Sequence, residues 1–210
     1  MADTLRQALY AGQLKPGSRL TVASLVNQYR TGASPTREAL AILCAEGLLL
    51  SEPQKGVVIP PLTRPGFEDL LECLLLSASR LLSDKPRDEN QRLDILGRLH
   101  ALRFLPGTIN PGYQPAREQF HRELHLALVE GAGNQPLKVF FKNSLLGVER
   151  YLAFSLNSLS YKPQNYMSPD ALSGFIKQIL SADPETALEK YYMYWEQQAD
   201  FIRLALEGQG

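Results

Sequence analysis

Apolar residues recur along most of this chain at intervals of three and four, the spacing of one helix face. In residues 4–11, Leu5, Ala8 and Leu9 form the first such stripe, and Lys15-Pro16-Gly17-Ser18 ends it with turn chemistry. A second stripe of Val22, Leu25 and Val26 spans 22–29, with Thr21 placed to cap it. The loop 30–33 leads into Ser34-Pro35, which predicts serine at the N-cap and proline at the first helical position, where its missing N–H is harmless. Leu40, Leu43 and Cys44, with Ala39 alongside, carry this third helix to Gly47, a residue that takes a left-handed stop without a Cβ clash. The period then changes. Leu48–Ser51 and Val57–Ile59 read as short strands around Glu52-Pro53-Gln54-Lys55-Gly56, a hairpin connection with Gly56 free to adopt positive φ. Pro60 to Pro65 predicts a stiff, extended linker and the pliable boundary between two domains.

Beyond the linker the helical period returns, over 67–82, 90–102, 116–129, 137–156, 170–180 and from Asp183-Pro184 to about Leu206. A loop rich in proline and glycine fills 106–115, and Gly131–Asn134 breaks the next pair of helices. The expected fold class is mainly α: an N-terminal winged helix-turn-helix over 1–62, then an all-α helical bundle domain over 66–210. Hydrophobic residues at 44% and charged ones at 21% suit a globular chain and exclude a disordered one or a coiled-coil rod. The 22 basic and 22 acidic residues cancel, but the cancellation is uneven. Residues 1–64 hold Arg6, Lys15, Arg19, Arg30, Arg37, Lys55 and Arg64 against only Asp3, Glu38, Glu46 and Glu52, so a basic first third precedes an acidic body. That asymmetry points to nucleic acid at one end. The two cysteines, Cys44 and Cys73, are too few for a disulfide framework and read as small buried hydrophobes. Apolar runs such as Leu74-Leu75-Leu76 fall far short of the ~20 residues of a membrane helix, and the start lacks a signal-peptide pattern. A cytoplasmic protein without membrane contact is expected.

In a winged helix-turn-helix the first residues of the third helix reach base edges and the wing meets the backbone. Those residues are Ser34, Thr36 and Arg37, with Lys55 and Gly56 in the wing. Arg37 is the leading candidate because a guanidinium can be bidentate to guanine, whereas Glu38 would repel phosphate. The string Gly12-Gln13-Leu14-Lys15-Pro16-Gly17-Ser18-Arg19-Leu20, then Ser34-Pro35-Thr36-Arg37-Glu38-Ala39-Leu40, Glu46-Gly47-Leu48 and Lys55-Gly56-Val57 resembles the GntR family of bacterial transcription regulators. The chain departs from the family pattern at Ala33, where many members carry a basic residue. The resemblance implies a homodimer on a pseudo-palindromic operator in double-stranded DNA.

The helical part is similar to the FCD effector domain of the FadR-type branch through Leu124-His125 to Gly131-Ala132-Gly133-Asn134 and through Asp183–Ala187. That resemblance implies a small effector, a carboxylate, and in many members a divalent metal held by one Asp and three His. Here the Asp position falls on His121 and the first His on His125, while the others fall on about Leu172 and Tyr194. His121 and His125 are four apart and can share one metal. Arg150 is a candidate clamp for the carboxylate, beside Tyr151. Tyr191, Tyr192, Tyr194 and Trp195 read as core, or as a pocket wall with the Tyr194 hydroxyl inward. His121-Arg122-Glu123-Leu124-His125 is not the zinc-protease motif, because Glu123 stands two residues after the first His on another face. No catalytic residues are expected. The chain reads as a DNA-binding regulator modulated by an effector bound at His121, His125, Arg150 and Tyr194; the alternative is a ligand-independent DNA-binding protein whose helical part only dimerises.

Overall fold

Thr21 shows how directly local chemistry sets this fold. Its side chain accepts from the Ser24 N–H at 3.1 Å while the Ser24 hydroxyl accepts from the Thr21 N–H, a reciprocal cap that starts a helix at Val22. In the computed structural model, which describes residues 1–52, 56–83, 89–102, 114–159 and 169–208, that helix is α2, Val22–Tyr29. It lies between α1, Ala2–Tyr10, and α3, Ala33–Ala45, and both pack against α3. Gly47 ends α3 as expected, at φ 75°: the N–H of Leu48 reaches the Leu43 carbonyl and that of Gly47 reaches Cys44, both at 3.0 Å.

The start of α3 differs from the expectation. Its N-cap is Gly32, so Ser34 and Pro35 sit inside the first turn rather than at its edge. Proline is tolerated there because the first N–H groups of a helix have no partner within it. The wing also starts later than expected: Leu48 and Leu49 are buried in the helix stop, and the strands are β2, Leu50–Glu52, and β3, Gly56–Val58. A third strand, β1, Arg19–Leu20, pairs antiparallel with β3 in the order β1-β3-β2. Two residues are too few to show an alternating pattern, which is why periodicity missed it.

The described chain divides into two compact units that do not follow the linker. Unit 1 takes Met1–Leu70, Leu146–Ser160 and Phe201–Gly210; unit 2 takes Leu71–Leu145 and Tyr161–Asp200. The core of unit 1 gathers Leu5, Leu9, Leu25, Leu40, Leu43 and Ile59 around the winged module, and Leu146 joins it. Leu146 belongs to α7, Gln135–Ser158, which is buried on nearly all sides from Ser144 to Leu156. Tyr10 is held at both ends by this helix: its hydroxyl donates to the Leu146 carbonyl at 3.3 Å and its carbonyl accepts from Asn157 at 3.1 Å.

The expected pliable linker is pinned. Arg150 donates to the Pro60 carbonyl, and the Thr63 N–H donates to the Tyr151 hydroxyl at 3.3 Å. Thr63 then caps α4, Arg64–Leu82, by accepting from the Gly66 N–H at 3.2 Å, which places Pro65 in the first helical turn. Helix α4 thus starts three residues before the expected Phe67. Gly66 is needed at this crossing, since a Cβ there would stand 2.9 Å from the Tyr151 hydroxyl. Arg203 closes the unit with a two-pronged contact to Glu68 at 2.8 and 2.9 Å, and that contact keeps the Glu68 carboxyl below its ordinary range.

The described elements of unit 2 are all helices. Helices α5, Glu89–Leu102, α6, Gln114–Val129, and α8, Pro169–Ser181, pack on one another, and α9, Pro184–Glu207, supplies Tyr191 and Trp195 as its largest buried side chains. Asn134 caps α7 and Asp183 caps α9, each by accepting an N–H three residues on at 3.0 Å. The cysteines are free and half-buried, less enclosed than expected; burial raises the thiol pKa of Cys44. Among the described residues no helix is long and apolar enough to cross a membrane.

Candidate nucleic-acid interface and a buried polar cluster

The exposed face at the start of α3 carries Ser34, Arg37 and Glu38. Arg37 makes no ion pair or side-chain hydrogen bond among the described residues. Thr36 corrects the expectation. It is fully buried, and its hydroxyl donates to the Gly32 carbonyl at 2.8 Å, so it braces the first turn instead of facing a duplex. Lys55 lies outside the described residues. Gly56 is exposed at φ 88°, as the wing requires, where a side chain would be strained.

The helix start has a further property. Helices α2, α4, α7 and α9 each have a side-chain cap, whereas the Gly32 cap of α3 offers none. The N–H groups of Ala33 and Ser34 therefore remain available, at the positive end of the helix dipole. An exposed guanidinium beside such an end suits a phosphate or a base edge. Arg6, by contrast, is used up inside the module: it bridges Asp3 and Glu46 and ties α1 to the end of α3.

In unit 2 the structure brings His121, His125 and Tyr194 together. The Nε2 atoms of the two histidines stand 3.0 Å apart, and His121 Nε2 is 2.7 Å from the Tyr194 hydroxyl. Both imidazoles are fully buried. Trp195 packs against His125 with ring centroids 5.2 Å apart, and Phe175 stacks on Tyr194 at 4.6 Å. The hydrogen bonding is unevenly shared. A neutral imidazole nitrogen has one hydrogen or one lone pair, so His121 Nε2 cannot satisfy both neighbours fully. Meanwhile His125 Nδ1 and Trp195 Nε1 are buried with no hydrogen-bond partner. Burial, with His121 adding to it, holds the pKa of His125 well below the usual imidazole range, so this ring is neutral.

Among the described residues these donors alone do not complete a metal site. A structural or catalytic zinc takes at least three protein ligands, and among the described residues no group of three or more His, Cys, Asp or Glu converges anywhere. Two imidazole nitrogens and a phenol fall short of that set. Arg150, the expected carboxylate clamp, belongs to unit 1, where its guanidinium donates to the Pro60 carbonyl. The sequence, which reads Trp195 as core or pocket wall, does not single out its Nε1 as a spare donor, and only packing reveals the unfilled N–H.

Comparison with known proteins agrees with this picture. The sequence profile described as "Bacterial regulatory proteins, gntR family" matches residues 1–59. The HTH-type transcriptional regulator BphR of Paraburkholderia xenovorans (strain LB400) is 26% identical over 208 residues, 95% of this chain and 82% of that protein. Among solved structures, a GntR-type chain from Rhodococcus sp. RHA1 superposes with a TM-score of 0.66 at 16% identity, covering 96% of this chain and 94% of its own. McbR/YncC of E. coli superposes at 0.63 with 18% identity, covering 97% and 95%. The structural likenesses extend the shared fold through the helical part, and the sequence relatives are regulators rather than enzymes. Residues 1–59 thus match the gntR family of bacterial regulatory proteins, and the chain is a DNA-binding transcriptional regulator with a GntR-type module.

Proposed function

We propose that this chain is a cytoplasmic, homodimeric regulator whose winged modules, residues 1–62, read the two half-sites of a pseudo-palindromic operator. A two-fold protein matches a two-fold site. Arg37 and Ser34 then lie at base edges, with Lys55 and Gly56 of the wing on the backbone. Residues 66–210 form the dimerising, effector-binding part, an FCD domain of the FadR-type branch. The effector is a small carboxylate bound without a metal at His121, His125 and Tyr194.

One observation carries the effector reading: a polar cluster at the centre of a helical unit holds two buried nitrogens, His125 Nδ1 and Trp195 Nε1, with unfilled hydrogen-bonding capacity. Leaving such groups unpaired is costly, and a core with no other duty would do better with apolar side chains. A bound carboxylate would accept from the indole N–H and the phenol, and its differential affinity for two arrangements of the dimer would shift operator binding.

Calorimetric titration of a panel of small carboxylates, with and without zinc, tests this. Saturable binding without metal that changes operator affinity and is weakened by Tyr194→Phe supports the effector reading. If no carboxylate binds under either condition, the helical part serves dimerisation alone.

A further inference from the structure

Five described residues take positive φ; four are glycines, at 12, 17, 47 and 56, and the fifth is Arg30, at φ 50° and ψ 47°. A residue with a Cβ crowds the following carbonyl oxygen in that conformation, while glycine does not. An arginine at this corner therefore strains the fold where glycine would fit freely, and the helix stop it makes, with the Arg30 and Thr31 N–H groups on the Val26 carbonyl, uses only backbone atoms that glycine would supply equally.

The other arginines of unit 1 sharpen the contrast. Arg6, Arg19, Arg64 and Arg203 pair with carboxylates, and Arg150 donates to a carbonyl. Only Arg30 and Arg37 are exposed with no ion pair or side-chain hydrogen bond among the described residues. Both belong to the approach to α3. Arg30 ends α2, and the short turn that follows is held at both sides: the Thr31 N–H reaches the Val26 carbonyl at 3.3 Å, and the Gly32 carbonyl accepts from Thr36. Its Cα is thus rigidly coupled to the start of the recognition helix.

We propose that Arg30 is a DNA-backbone contact, its guanidinium carried by the left-handed corner onto a phosphate flanking the bases that Arg37 reads. It would act as a positioning residue that fixes the register of α3 in the groove. A phosphate is the fitting partner because Arg30 precedes the helix that enters the groove, and backbone contacts set register while base contacts carry sequence. The inference rests on DNA binding by the winged module.

Arg30→Gly tests it, because this change relieves strain while removing the charge. The probes are an operator obtained by selection from random duplexes and one unrelated duplex of equal length. Arg30→Gly is expected to raise the melting temperature yet weaken binding to both duplexes by similar factors, on the order of tenfold. The slope of log K against log salt should become shallower by about 0.9, and Arg30→Lys should restore it. A higher melting temperature with affinity and slope unchanged overturns the proposal, leaving Arg30 a strained corner only. A loss confined to the operator also overturns it, by making Arg30 a base reader. Failure of the wild-type chain to bind any duplex would instead remove DNA binding itself, an outcome distinct from these.

Discussion

The two units differ in where their spare nitrogens stand. In the winged module Thr36 is matched with the Gly32 carbonyl and Arg6 with Asp3 and Glu46, while the Tyr29 hydroxyl is buried with no hydrogen-bond partner among the described residues. The arginines left without a partner, Arg30 and Arg37, stand at the surface, where water satisfies them until a duplex arrives. In unit 2 the unmatched atoms are inside, on His125 and Trp195. A surface site for a polyanion costs the fold little to keep open, because solvent fills it. An unpaired polar group in the interior costs stability, because bulk solvent does not reach it. Substitutions in the first unit should accordingly change binding or break a paired contact, whereas those in the second should be tolerated by the fold.

The largest effect is expected at Arg37. Replacing it with alanine should weaken operator binding by ~1–3 kcal/mol while affecting unrelated DNA far less. Fluorescence anisotropy with both duplexes, at one stated salt concentration, measures the difference. Equal losses on the two would make Arg37 a phosphate contact and leave base reading to Ser34 and its neighbours.

Next comes the paired interior of the same module. Thr36→Val keeps the shape but removes the hydroxyl that donates to the Gly32 carbonyl, and should cost about 1 kcal/mol of unfolding free energy. Because Thr36 is buried, operator affinity of the folded protein should change much less than with Arg37→Ala. Urea denaturation and anisotropy separate the two effects. A large affinity loss with unchanged stability would return Thr36 to the interface.

How much of this was legible in the chain differs between the same two regions. Thr21, Gly47, Gly56 and Asp183 act as their residue types predict, since caps and left-handed stops depend on a few neighbouring atoms. The start of α3 was displaced by two residues: Ser34-Pro35 is a good cap signal, but burying Thr36 against Gly32 demands an earlier turn. The pinned linker could not be read from Pro60–Pro65, because what holds it, Arg150 and Tyr151, lies some ninety residues away in sequence. His121 and His125 were legible as a pair through their spacing of four. Their partner Tyr194 was placed by resemblance, and the spare nitrogens became visible only once α6 and α9 were packed.

The smallest expected effect is also the sharpest test of the cost of an interior site. Unfolded His125 would take up a proton near its ordinary pKa of 6.5, and the buried ring would not. Below that range the unfolded state binds more protons, so this group's contribution is complete above it and is lost as pH falls. The loss attributable to His125 between pH 7.5 and 6.5 is about 0.4 kcal/mol. His125→Phe should therefore leave stability near neutral pH almost unchanged, because it exchanges a partly unsatisfied ring for an apolar one of similar size. The difference in unfolding free energy between wild type and variant should then tilt in favour of the variant on acidification by that amount. Comparing the two proteins cancels the titrating groups away from the ring, while His121, Tyr191 and Tyr194, which touch it, are present in both. A variant several kcal/mol less stable at pH 7.5 would mean that His125 is a satisfied member of the core. The contrast between a surface left open at no cost and an interior kept open at some cost would then fail.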